Sequence, residues 1–164
     1  MKHFRFIQLA VVLVLLIQPA NFYSIPSPQS SNIGVNGFFK PARAKKGQTV
    51  QGTVMMDIPS GYHVNSNRPL EKFLIPTQLK IEVPSGVRVG PVTYPRAITR
   101  SLKFSKNKVA VFEGRATMRF SVTVPAGYSS NSVEVKARLR YQSCNDEVCF
   151  PPQNKDVSIW LNVE

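Results

Sequence analysis

From about residue 35 onward, apolar and polar residues alternate with a period of two in short runs, and Pro or Gly cuts each run off. The clearest run is Val133 to Tyr141. There Val133, Val135, Ala137, Leu139 and Tyr141 share one face, and Glu134, Lys136, Arg138 and Arg140 share the other. Arg115 to Val124 alternates in the same way and stops at Pro125-Ala126-Gly127. Val50 to Ile58 alternates through half its length and stops at Pro59-Ser60-Gly61. Leu79 to Val83 alternates and stops at Pro84-Ser85-Gly86. Shorter strand signals lie at Tyr62 to Asn65, Val87 to Val92, Val109 to Glu113 and Val157 to Val163. No segment sustains a helical period and no internal repeat is present. Short strands with frequent turn punctuation predict an all-β chain folded as a sandwich.

The N-terminus follows a different pattern. Lys2 and Arg5 precede an unbroken apolar run from Leu9 to Ile17. That run is far short of the roughly 20 residues needed to span a bilayer, and it reads as the core of an export signal. Residues 1–20 are expected to be a signal peptide, with cleavage after Ala20 or slightly later. Residues 21–34 are rich in Ser and Pro and read as a linker. Residues 35–164 remain, about 130 residues, enough for one domain with a single core. No second apolar stretch of spanning length follows, so an exported, periplasmic location is expected, where disulfides form and persist.

Charge narrows the choice of partners. Lysine and arginine total 21 against 9 acids, a formal net charge of +12. Only Lys2 and Arg5 leave with the signal, so the excess stays with the mature chain. It concentrates at Lys40, Arg43, Lys45 and Lys46, and again at Arg96, Arg100, Lys103, Lys106 and Lys108. In an exported protein such cations face anionic lipid headgroups, cell-wall polymers or an acidic partner protein, and nucleic acid is not expected. A merely solvated basic surface is the plainer reading.

The chemistry concentrates in one run, Tyr141-Gln142-Ser143-Cys144-Asn145-Asp146-Glu147-Val148-Cys149-Phe150-Pro151-Pro152, which holds both cysteines of the chain. A disulfide across so small a loop contributes only about 2 kcal/mol through chain entropy, against about 4.7 kcal/mol for a hundred-residue loop. A domain seeking stability alone gains more by linking distant strands. So small a loop is also easily strained, and strained or exposed disulfides are the ones that exchange readily. Two readings therefore stand: a redox-active pair, or a local bond that stiffens a hairpin. Asp146 and Glu147 inside the loop disfavour a neighbouring thiolate, whereas the basic surroundings favour it. His63 is the only histidine of the mature chain and a candidate tuning group, with Asn65 two residues on facing the same way. Phe150, with Pro151 and Pro152, stiffens the loop or offers an apolar contact beside the sulfur. Two cysteines and one histidine make a poor zinc set, no nucleophile elbow or phosphate-cradling glycine loop is present, and no metal or other cofactor is expected.

These residues resemble a family. The export signal, the sandwich, Gly61-Tyr62-His63 opening a short strand, and Tyr141-Gln142-x-Cys144-x4-Cys149-x-Pro151-Pro152 are similar to the N-terminal periplasmic domain of the thiol:disulfide interchange protein DsbD, over residues 36–164. The resemblance implies an immunoglobulin-like β-sandwich whose cysteine pair takes electrons from a thioredoxin-like domain fed by a membrane domain. It passes them to periplasmic thiol proteins and to cytochrome c maturation factors. It also implies that Cys149 forms the mixed disulfide with the partner, and that an aromatic cap covers the pair. Tyr94 or Phe104, within the stretch 94–104, is the cap candidate by position. The spacing of the cysteines is one residue shorter than in the best-known member, and the cap stretch is basic where that member is acidic. Membrane and thioredoxin-like domains are not found, so the electron donor is expected to be a separate thioredoxin-like or membrane redox protein. The competing reading is a non-catalytic binding or adhesion module with a structural disulfide and a basic surface.

Overall fold

The computed structural model describes residues 32–164, which form twelve strands and no helix. The expected signal peptide, and the linker up to residue 31, lie outside the described residues. Two four-stranded sheets make the body. The first joins β1 (Gly34–Phe39), β3 (Thr49–Asp57), β9 (Arg115–Thr123) and β6 (Arg88–Val89) in that order. The second joins β2 (Arg43–Ala44), β12 (Gln153–Val163), β10 (Ser132–Tyr141) and β5 (Gln78–Glu82). Alternation produces the packing directly. Val54, Met118, Phe120 and Val122 from the first sheet meet Val133, Val135, Leu139 and Leu161 from the second in one buried seam. The sheets approach closely where Gly37 faces Ile159. A Cβ on Gly37 would sit 2.4 Å from Ile159 Cδ1, so a side chain there would push the sheets apart. Phe39 and Phe120 close the seam edge to face at 6.0 Å.

A third sheet, β11 (Ser143–Cys144), β4 (His63–Asn65), β8 (Val109–Phe112) and β7 (Ile98–Arg100), lies beside this body. Its register pairs Val64 with Phe112, and Asn65 with Val111. Directly opposed residues share a face, so Val64 and Phe112 enter the main core while Val109 and Val111 turn the other way. There they form a second, smaller cluster with Leu74 and Leu102. Among the described residues no helix is long and apolar enough to cross a membrane.

The strand pattern differs from expectation at its margins. Ile33 is 2% exposed within the main core and Gly34 already belongs to β1, so the sandwich begins inside the segment read as linker. The glycines at positions 34 and 37 hide that strand from a propensity reading. Of Val87 to Val92, only Arg88 and Val89 pair with β9. The last strand starts at Gln153 rather than Val157. Its polar first half is held in register with β10, and Arg138 Nε donates to Asp156 Oδ1 at 2.7 Å across the pair.

Candidate functional site

Cys144 and Cys149 face each other across a hairpin with Asn145–Val148 as its loop, and they form a disulfide with a Cα–Cα distance of 3.9 Å. The Phe150 N–H donates to the Ser143 carbonyl at 2.8 Å, and the Asn145 N–H donates to the Val148 carbonyl at 2.9 Å. These bonds flank the cysteines and leave them as a non-hydrogen-bonded pair, the position where opposed side chains come closest. Asn145 Oδ1 accepts the N–H groups of Glu147 and Val148 at 2.9 and 2.8 Å and so sets the turn. The spacing of four residues thus brings the two sulfurs together through turn chemistry. The two sulfurs differ in exposure. Cys144 is fully buried, whereas Cys149 is partly exposed against the cluster of Leu74, Leu102, Val109 and Val111.

The floor beneath the pair is polar and buried. Gly61, at φ +80°, turns the chain from β3 into β4, a conformation that favours glycine. The register then sets His63 opposite Cys144. His63 Nδ1 lies 2.8 Å from Glu113 Oε1 and its Nε2 lies 3.0 Å from Asp146 Oδ1, so the ring spans from β8 to the cysteine loop. Arg100 grips the same Glu113 with two bonds of 2.6 Å. That guanidinium holds the Glu113 carboxyl below the ordinary carboxylate range. The His63 contact adds to this effect and partial burial opposes it. Asn65 is fully buried on the same face. Its Nδ2 donates to the Ile75 carbonyl at 3.2 Å and to Gln142 Oε1 at 2.9 Å, and its Oδ1 lies 3.9 Å from Cys144 Sγ. The disulfide sulfur has no proton to give to that oxygen; a reduced Cys144 thiol has one.

Of the two cap candidates, only Phe104 lies by the disulfide, packing on the same small cluster as Cys149. Tyr94 sits elsewhere. Its hydroxyl accepts the Leu79 N–H at 2.8 Å and its ring packs on the main core, because the bridge between Thr93 and Arg119 ties that stretch to β9. The stretch carrying Phe104 docks on the hairpin itself: the Lys103 N–H donates to the Asp146 carbonyl at 3.0 Å, and Lys103 Nζ pairs with Glu147. The Phe150 ring lies 6.0 Å from that of Tyr62. Both acids of the loop are therefore engaged, Asp146 by His63 and Glu147 by Lys103.

Sequence reasoning passed over several participants. Gln142 is the connector. Its Oε1 accepts from Asn65 and from the Ile75 N–H at 3.0 Å, and its Nε2 donates to the Phe150 carbonyl at 3.1 Å. Its place in the cysteine motif was the available signal. Glu113 and Leu74 are joined to the site only by tertiary pairing and nothing local marks them, whereas Arg100 and Leu102 fall in the basic stretch 94–104 without any local sign of their partners.

The family model described as "Thiol:disulfide interchange protein DsbD, N-terminal" matches residues 36–160. The chain belongs to this family. Membership implies thiol–disulfide interchange with partner proteins, and it fits the all-β sandwich and its disulfide. One solved structure supports the fold. The N-terminal periplasmic domain of ScsB from Proteus mirabilis aligns with a TM-score of 0.52 at 11% identity, over 83% of this chain and 48% of that one. The chain is also similar to the DsbD N-terminal domain of Neisseria meningitidis in its reduced form, with a TM-score of 0.44 at 19% identity, over 68% of this chain and 77% of that one. No curated protein sequence matches the chain.

Proposed function

We propose that this chain is an exported thiol–disulfide interchange domain that carries electrons between a separate dithiol reductant and exported thiol proteins. The observation that carries this reading is the asymmetry of the pair: one sulfur fully buried, its partner partly exposed on a hairpin. A donor thiolate attacks Cys149 Sγ, the Cys144–Cys149 bond breaks, and its electron pair leaves on Cys144 Sγ, which takes up a proton. The donor's second thiolate then attacks its own sulfur in the mixed disulfide and releases Cys149, so two electrons and two protons have entered the domain. In the forward direction the Cys149 thiolate attacks an acceptor disulfide, and Cys144 resolves the mixed disulfide. Asn65 offers the Cys144 thiol an acceptor, and Phe104 with the Lys103 contacts governs access to the sulfurs. The donor is a thioredoxin-like or membrane-bound dithiol protein, and residues 1–20 act as the export signal.

Equilibration of the purified protein against graded glutathione or dithiothreitol buffers tests this. A potential between about −180 and −270 mV, the range of exchange-active proteins, is expected, and one below about −300 mV marks an inert structural bond and would overturn the reading. Cys144→Ala should also trap a thiol partner on Cys149 as a stable mixed disulfide.

A further inference from the structure

Two loops converge over the cap face of the third sheet, residues 66–77 and residues 101–108. They are tied together where Asn107 Nδ2 donates to Glu71 Oε1 at 2.9 Å, and underneath they share the apolar cluster on which Cys149 packs. That tie places Lys72, next to Glu71, near Lys106 and Lys108, which flank Asn107. All three lysines are exposed and have no ion pair among the described residues. Three of the neighbouring acids already face cationic or imidazole partners: Glu113 faces Arg100 and His63, Asp146 faces His63, and Glu147 faces Lys103. Glu71 bonds the neutral Asn107 amide and keeps its charge. The three lysines outnumber the one charged acid among them, Glu71, and the remaining positive excess is relieved when an external anion binds. The same loop and the adjoining cysteine hairpin expose large apolar side chains, Leu70 and Phe73 of loop 66–77 at 60% and Val148 of the hairpin at 49%. Exposed apolar side chains rimmed by charge mark protein contact sites.

We infer that this face docks a thiol protein whose reactive cysteine is surrounded by acidic side chains, with Lys72, Lys106 and Lys108 steering it and Leu70, Phe73 and Val148 seating it. The inference rests on the exchange reading above and names its partner's chemistry. An electron carrier must release its partner after each transfer. Steering charges suit that need because they raise the association rate more than they slow release. The steering is confined to about 8 Å at physiological ionic strength, so only acids close to the partner's cysteine contribute.

The first arm oxidises the reduced full-length protein at low salt with three small disulfides: oxidised glutathione (anionic), 2-hydroxyethyl disulfide (neutral) and cystamine (cationic). Each rate is normalised to that of free cysteine. The anionic probe should outrun the cationic one by about tenfold or more, the gap should close at high salt, and Lys72→Glu/Lys106→Glu/Lys108→Glu should reverse it. The second arm uses a reduced thioredoxin of net negative charge as electron donor. Leu70→Ser/Phe73→Ser should slow that donor about tenfold while leaving reduction by dithiothreitol unchanged. Equal normalised rates for the three disulfides, or a ratio untouched by the triple reversal, would overturn the docking inference while exchange itself survives. Salt-sensitive binding to phosphatidylserine vesicles, lost in the triple variant and combined with equal disulfide rates, would overturn it in favour of a membrane surface. Failure of all three disulfides to react would instead remove the exchange reading.

Discussion

The sandwich body and the small third sheet follow opposite rules of construction. In the body, long strands alternate, and nearly every inward position is apolar, from Val50 through Met118 to Leu161. Removal of that area from water stabilises it, and no single polar contact matters much. In the third sheet no strand exceeds four residues, and its buried side chains include His63, Asn65 and Ser143. His63 is held by bonds to Glu113 and Asp146, and Asn65 by a bond to Gln142. Such an arrangement gives up apolar area for defined placement of polar groups around a sulfur pair. The disulfide therefore sits on the part of the molecule with the smaller apolar cluster, where local opening is expected to cost less than in the body.

The strongest test of that contrast is a truncation in the body. Leu139 is 1% exposed at the centre of the seam. Leu139→Ala should lose about 2–5 kcal/mol of unfolding free energy, read from denaturant midpoints, and the rate of dithiothreitol reduction of the folded protein should stay unchanged. On the polar side, Asn65→Leu removes the donor that serves both the Ile75 carbonyl and Gln142 Oε1. The expected loss is smaller, about 1–3 kcal/mol for buried acceptors left unpaired. Here amide exchange should accelerate in the hairpin 143–150 and not in β9 or β10. Equal acceleration everywhere would show that the two regions open as one unit.

The same division explains what the sequence made readable. The long strands announce themselves because one face is buried and the other wet: Val133 to Tyr141 alternates along its whole length, and β10 spans that run. The cysteine motif was legible too, since four intervening residues suffice to close a tight hairpin. The polar floor was legible only as two residues, His63 and Asn65, on one short strand. Their partners Glu113, Gln142 and Ile75 come from elsewhere in the chain, and no periodicity links them. The cap was half legible. Tyr94 and Phe104 bracket one stretch of aromatic and basic residues, and only the bridge from Thr93 to Arg119 decides that Tyr94 belongs to the body. Trp160 illustrates the converse: it lies in a clean alternating strand yet is 58% exposed, on the polar phase of β12.

Acid should act on the third sheet by a predictable route. The Glu113 carboxyl lies below its ordinary value of 4.5, chiefly because Arg100 bonds it. A carboxyl lowered in the folded state contributes stability that is fully present above its unfolded value. That stability is lost as pH falls through the lowered folded value. From neutrality down to about 4.5 the Arg100–Glu113–His63 chain should hold, and below that its loss should loosen β7, β8 and the hairpin together. Dithiothreitol does not react usefully in acid, so a phosphine reductant gives the readout. The rate of disulfide reduction should rise as pH falls below 4.5, and Glu113→Gln should be fast at every pH. A rate in the wild-type chain that is flat across this range would mean that the chain does not restrain the hairpin.

The smallest effect on stability belongs to Lys103, and it sharpens the comparison most. Its side chain is exposed, and Glu147, its partner, is exposed as well. Ion pairs of this kind contribute little to folding because water screens them and both side chains lose freedom in making them. Lys103→Ala should therefore leave the denaturant midpoint where it is. The contact nevertheless joins the Phe104 stretch to the loop between the two cysteines, alongside the backbone bond from Lys103 to Asp146. Loss of the side-chain half should let the stretch lift more often and speed reduction of the disulfide at neutral pH by a few-fold. Phe104→Ala, which removes a ring packed on the same cluster as Cys149, should speed it further. A change in midpoint without a change in reduction rate would show the stretch to be part of the scaffold. The opposite result, rate without midpoint, is expected of a cover laid over a site that the sandwich supports but does not enclose.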